Sequence, residues 1–295
     1  MANLKEVRTR IESVNSTKQI TSAMKMVAAS KLRKSQNAIL ALRPYAEKFG
    51  EMLAAVSSQQ SSVDNQQSDN SQESDRVLIV PLSSNKGLCG AFNANVIRET
   101  MNLIKEEYQT YYDNGKVDIL CIGSKVEETL RYKKYPVIGN ENVLLDDLTY
   151  DNAAAFAERL MKDYEDKKYD KIVFVYNQFK NAATQVLVTE QFLPMSGQQS
   201  AANENHFQGP EFIFQPNKKD ILTTMIPKSL KLQVYKILLD SFASEQGARM
   251  ISMTQATDNA TELLKELNLT YNKARQSAIT NELVEIVSGA DALKG

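Results

Sequence analysis

The sequence predicts an α/β protein that carries a long coiled coil, its N- and C-terminal helices running antiparallel. Three observations support this: two long stretches poor in helix breakers at the ends, apolar seams on both, and alternating strand and helix patterns between them. Pro and Gly are absent from residue 1 to Leu42. In this stretch Leu4, Val7, Ile11 and Val14 follow the 3-4-3 spacing of a coiled-coil seam. The pattern weakens through Thr17 to Thr21 and is expected to resume at Met24, Val27, Leu32, Ile39, Leu42, Phe49, Leu53 and Val56. Pro44 is expected to bend the rod or mark a joint. A continuous helix over 3–57 would measure about 80 Å.

The C-terminal segment mirrors it. Beyond Pro227 a single glycine, Gly247, interrupts the run to Val287. Small or apolar residues at Ala256, Ala260, Leu264, Leu267, Tyr271, Ala274 and Ala278 alternate spacings of four and three. The seam is then expected to shift to Ile279, Leu283, Ile286, Ala290 and Leu293, a shift that locally unwinds a supercoil. Two incomplete seams argue that the ends pair with each other, and Ala and Ser in them make the pair thin.

The middle has a different texture. The stretch SSQQSSVDNQQSDNSQESD over 57–75 reads as a polar linker. RVLIVPL at 76–82, VDILCIG at 117–123 and KIVFVY at 171–176 read as buried parallel strands. Helical patterns at 93–112, 124–134 and 152–167 separate them, which indicates βαβ units and a Rossmann-like sheet. The segment 184–194 reads as an antiparallel partner of 171–178, 195–209 as a loop and 211–216 as a further strand. The expected organisation is a discontinuous coiled coil over 1–57 and 228–295, a linker over 58–75 and an α/β domain over 76–227.

Composition narrows the function. No apolar run approaches the roughly 20 residues of a membrane span. The N-terminus, MANLKEVRTRIES, lacks an apolar leader core, and Cys89 and Cys121 suit a reducing compartment. The formal net charge of −1 hides an asymmetry: residues 1–48 hold ten Lys/Arg against three Asp/Glu. A basic rod implies an acidic partner, whether nucleic acid, anionic membrane or protein. No aromatics interleave with Lys31, Arg33 and Lys34, which disfavours nucleic acid. Met24, Met26, Met250 and Met253 read first as core gap-fillers, and second as a surface able to repack against partners.

Catalytic chemistry has little support. SSNKGLCGAFN at 83–93 joins a strand to a helix, where backbone N–H groups could hold phosphate, yet it matches neither GxxxxGK[ST] nor GxGxxG. Its bland reading is a tight turn that packs the helix. Cys89 lacks a nearby base, since the only histidine is His206. One His and two separated Cys supply no metal set, and Asp146-Asp147 and Glu106-Glu107 read as solvated surface. No catalytic residue, cofactor or metal is assigned. The residue-level alternatives are a nucleotide-binding α/β protein, a helical adaptor for an acidic partner and a mechanical rod.

IESVNSTKQITSAMKMVAASKLRKSQ (11–36) and ARMISMTQATDNATELLKELNLTYNKARQSAITNELVEIVSGADAL (248–293) closely resemble the terminal helices of the F-type ATP synthase gamma subunit, bacterial type. NKGLCGAFN resembles that family's central GLCG signature, and the resemblance spans the chain apart from the unusual 57–75 linker. It implies a non-catalytic rotor that couples ion flow to ATP synthesis or hydrolysis. Its coiled coil would lie on the axis of a hexamer of alpha and beta subunits, its α/β domain against epsilon and the c-subunit ring. One copy per complex is implied, at the cytoplasmic face of the bacterial plasma membrane, touching membrane only through the c ring. The resemblance places Met24, Lys25, Lys31 and Arg33 near acidic lever loops of the beta subunits, with Lys86, Leu88 and Cys89 on a loop approaching the same levers. It makes Arg275 and Gln276 a catch on the beta subunit flanked by Thr280 and Glu282, links Arg249 to coupling, and sends 286–293 into a sleeve atop the hexamer.

Overall fold

A computed structural model describes residues 4–58, 76–194 and 218–292. The expected loop at 195–209, with His206, and the expected strand at 211–216 lie outside the described residues, as does the 59–75 part of the polar linker. Contacts divide the chain into two compact units: Met1–Ala29 with Arg249–Gly295, and Ser30–Ala248. Helix α1 covers Leu4–Ser58 and runs through Pro44.

The larger unit is built on β1 (Val77–Pro81), β2 (Val117–Cys121), β3 (Val137–Asn140), β4 (Lys171–Phe179) and β5 (Gln185–Leu193), in the order β3-β2-β1-β4-β5. The first three contacts of this order are parallel and β4–β5 is antiparallel; the parallel set β1, β2 and β4 and the antiparallel β5 are those expected from the sequence. Strand β1 sits at the centre, Val77 opposite both Val117 and Lys171, which is why VLIVP is apolar without alternation. Side chains alternate between the faces. Leu78, Val80, Ile172, Phe174 and Tyr176 meet Phe156 and Leu160 of α5 (Tyr150–Glu165) and Leu230, Val234 and Leu238 of α6 (Lys218–Ala292). Val77, Ile79, Val173 and Val175 meet Val96 and Leu103 of α2 (Phe92–Glu106) and Val126 and Leu130 of α4 (Ser124–Tyr132). Each such side chain contributes about 1.5–3 kcal/mol of burial.

Four details depart from the sequence reading. The expected helix at 93–112 is split into α2 and the short α3 (Gln109–Asp113). The break buries Tyr108, whose ring lies 5.1 Å from the Lys171 ammonium. Strand β3 was not expected, because VIGN is short and holds a glycine. Helix α6 begins at Lys218, so Pro227 lies inside it, at the cost of one backbone hydrogen bond. The fourth departure is the seam, treated with the site below.

Polar groups pin the sheet at its foot and flank. Arg76 binds Asp118 at 2.8 Å, Tyr169 donates to the same carboxylate at 3.1 Å, and the Arg76 amide donates to Asp170 at 2.9 Å, so the chain is anchored where it enters β1. Beside β5, Tyr176 and Gln233 both donate to Glu190, at 2.7 and 2.6 Å. Asp240, only 5% exposed, lies in that environment. Burial pushes its carboxyl from 3.8 up to about 6, with Lys236 and Arg43 pulling down and Glu190 pushing up. The folded state therefore holds the Asp240 proton more tightly than the unfolded chain. The ionised form costs stability progressively as pH rises from 3.8 to about 6, and the cost is constant above that. Asp240→Asn is expected to raise stability by up to about 3 kcal/mol at pH 8 and to change little at pH 4. Denaturant unfolding at the two pH values checks this.

Candidate functional site

In the smaller unit the two terminal helices pack against each other, and Thr257 Oγ1 donates to Thr21 Oγ1 at 2.9 Å. The 4-3 spacing that starts at Leu4 continues without a break through Lys18, Thr21, Lys25 and Ala28, all buried or half-buried. The expected register at Val27 is corrected: Val27 is 57% exposed, whereas Ala28 is 1% exposed. A seam that carries two lysines and a threonine looks interrupted, and an apolar neighbour then draws the reading one residue aside. Lys18 and Lys25 are half-buried, which a lysine tolerates because its aliphatic stem can be covered while its charge stays in water. Of the methionines named above, Met253 is buried, Met24 and Met250 are half-buried and Met26 is exposed.

Counting seventeen residues back from Thr21 and seventeen on from Thr257 brings Leu4 level with Ala274. Beyond Ala274, which is half-buried, 275–290 are all exposed. The expected continuation of the seam through Ile279, Leu283, Ile286 and Ala290 is therefore overturned, since α1 has no described turn left to cover them; Leu293 lies outside the described residues. A single helix is left presenting Ile279, Leu283, Val284, Ile286 and Val287 to solvent. Arg275, Gln276, Thr280 and Glu282 are exposed on it, and the Thr280 hydroxyl is turned back to the Gln276 carbonyl at 2.9 Å. Arg249, by contrast, is buried.

In the larger unit Leu32, Ser35 and Ile39 of α1 are buried while Lys31, Arg33 and Lys34 are exposed, so this stretch of helix presents its cations outward. The strand-to-helix loop at 83–93 is held by its own side chains. The Ser83 amide donates to Ile122 at 2.7 Å, and the Ser83 hydroxyl accepts from the Val126 amide at 3.0 Å. The Ser84 amide donates to Asn93 Oδ1 at 3.0 Å and its hydroxyl to the Lys86 carbonyl at 2.6 Å, while Asn93 Nδ2 donates to Cys89 Sγ at 3.2 Å. The Ser84 amide, one of the donors a phosphate would need, is thus already paired inside the loop. Cys89 is 1% exposed, beneath Leu88, which is 61% exposed with a backbone φ of 65°. Lys86 is exposed beside it.

Next to this loop the Asn85 side chain accepts from the Ser124 amide at 3.2 Å, and Asn142 Oδ1 accepts from the Gly123 amide at 2.8 Å. Burial works against the Glu127 charge, but bonds from Asn140, Asn142 and Arg131 outweigh it and hold the carboxyl below its ordinary value. Burial, with Glu127 nearby, pushes the Cys121 thiol up to about 12, which suits a core residue and not a nucleophile. Among the described residues no three His, Cys, Asp or Glu are grouped to hold a metal ion, and no helix is long and apolar enough to cross a membrane. Ser84 and Asn93 did not stand out in the sequence; the available signal was a polar pair closing a strand-to-helix turn.

Comparison with known proteins agrees with this geometry. A family model described as ATP synthase matches residues 3–293. The chain is 52% identical over 295 residues to the ATP synthase gamma chain of Flavobacterium johnsoniae, covering 100% of both. It is 41% identical over 294 residues to the protein of that name from Chlorobaculum tepidum, again covering 100% of both. Among solved structures it resembles a chain of the Tetrahymena thermophila mitochondrial ATP synthase central stalk and c-ring, with TM-score 0.56, 28% identity and coverage of 80% of this chain and 99% of that one. A chain of the Euglena gracilis mitochondrial ATP synthase shares the fold, with TM-score 0.64 at 20% identity and coverage of 98% and 94%.

Proposed function

We propose, from the premise that this chain belongs to the ATP synthase gamma-chain family, that its paired terminal helices act as an axle inside a hexamer of alpha and beta subunits. A gamma subunit is the rotor of the central stalk and does not itself catalyse. The observation that carries the finer reading is the lone apolar helix beyond Ala274. Five large apolar side chains on one exposed helix call for a surrounding protein surface. Lys31 and Arg33, with the half-buried Lys25, supply positive charge for the acidic levers of beta subunits. Exposed pairs of this kind are worth about 0–1 kcal/mol each, which suits contacts that break at every rotational step. Met24 and Met26 supply side chains that repack as the partner changes.

Lys86 and Leu88 form the second contact, with Cys89 supporting them from below. Arg275 and Gln276 form the catch, flanked by Thr280 and Glu282, and the buried Arg249 acts on coupling. The α/β unit contacts epsilon and the c ring, one copy of the chain serves each complex, and the complex stands at the cytoplasmic face of the plasma membrane. The residue ranges 1–57 with 228–295, and 76–227, describe the axle and its base. Arg275→Ala tests the reading. In the assembled complex it is expected to lower ATP turnover about tenfold, the value of one charged hydrogen bond, with subunit composition unchanged. Loss of assembly instead would make Arg275 a structural residue.

A further inference from the structure

The loop between β1 and α2 spends unusual resources on one exposed leucine. Leu88 holds a left-handed backbone at φ 65°, which is costly for a residue with a branched side chain, and projects 61% of its surface outward. Such a conformation persists only where neighbouring contacts over-determine it. Here the two ends of the arch are tied to a single side chain, while Asn85 within it is bonded to the Ser124 amide at 3.2 Å. Asn93, in the first turn of α2, accepts the Ser84 amide with Oδ1 at 3.0 Å and gives Nδ2 to Cys89 Sγ at 3.2 Å. Ser84 in turn ties down the Lys86 carbonyl at 2.6 Å. The two anchors, Ser84 and Cys89, bracket residues 85–88, and both are buried. A rigid helix thus grips both ends of a short arch and fixes the position of its crown.

We propose that Asn93 is a positioning residue: by clamping Ser84 to Cys89 it presents Leu88 and Lys86 in the pose that engages the catalytic hexamer. This rests on the reading that the loop touches the hexamer. Asn93 itself is half-buried and need not touch the partner. A loop held in its bound form does not have to be ordered at each encounter, and so the contact can form and break without an entropic penalty.

The test is a double-mutant cycle in the assembled, membrane-reconstituted complex, with proton pumping measured per ATP hydrolysed. That ratio is taken per working complex, so a change in the amount of folded chain does not move it. Leu88→Ala is expected to lower the ratio about threefold, Asn93→Ala to lower it by the same factor, and the double variant no further than either. Asn93→Asp keeps an acceptor for the Ser84 amide but removes the Nδ2 donor to Cys89 Sγ, so the threefold loss is expected there too, and a normal ratio overturns the clamp. If the two single losses multiply in the double variant, or if Asn93→Ala leaves the ratio unchanged while Leu88→Ala lowers it, the positioning role is overturned. If Leu88→Ala leaves it unchanged, the contact reading of the loop fails, and with it the proposal. Should Asn93→Ala not assemble, Asn93→Ser takes its place: its hydroxyl is too short to reach Ser84, so the threefold loss is expected again, and a normal ratio overturns the idea.

Discussion

Gly123→Ala is expected to remove a large share of the stability of the α/β unit, about 4 kcal/mol or more against a typical total of 5–15 kcal/mol. Two causes add. Gly123 has φ of 105°, a conformation that an L side chain adopts only under strain. A Cβ there would also stand 2.3 Å from the Ser83 carbonyl oxygen, which is backbone and cannot step aside. Its neighbours are committed as well: the Gly123 amide is held by Asn142, and Ser83 is bonded to both Ile122 and Val126. Gly115→Ala is the control. Its φ of 67° is also left-handed, but nothing lies within 4 Å of the added Cβ, so a cost of about 1 kcal/mol is expected. Denaturant unfolding of the two variants should differ severalfold in lost stability, and equal losses would show that backbone strain alone matters.

The second large effect concerns the seam. Ala28→Glu is expected to cost about 3–5 kcal/mol and to separate the terminal helices, because it places an unpaired charge in a position that is 1% exposed. Val27→Glu, one residue earlier and 57% exposed, is expected to stay within about 0.5 kcal/mol of the parent. Helical circular dichroism during thermal unfolding reads both. A reversal of the two would restore the register that puts Val27 in the seam.

That pair of residues also shows how far the sequence could be read. Leu4, Val7, Ile11 and Val14 declare their face because every seam position is apolar. Between Lys18 and Lys25 the same face is polar, so hydrophobic spacing no longer marks it, and packing geometry alone carries the register across to Ala28. The apolar run Ile279 to Val287 misled in the opposite sense: its side chains are seam-like, but they are exposed, beyond the level of the described part of α1. The strands β1, β2 and β4 were legible because burial on both faces demands continuous apolar runs. Strand β3 was not, since VIGN lies at the sheet edge, where only its pairing with β2 defines it. The exposed site residues came from family resemblance. What the structure adds is orientation: Leu88 outward, with Cys89 and Arg249 buried.

One experiment bears most directly on whether the terminal helices turn as a single body. Thr21 and Thr257 meet with their hydroxyl oxygens 2.9 Å apart, close enough for cysteines at both positions to bond, and the native Cys89 and Cys121 are buried away from oxidant. In the assembled complex, Thr21→Cys with Thr257→Cys should form a disulfide on mild oxidation and keep ATP turnover within about twofold of the reduced form, about 0.4 kcal/mol of barrier. Failure of the bond to form, or turnover that stops on oxidation and returns with reductant, would mean that the two helices do not turn together.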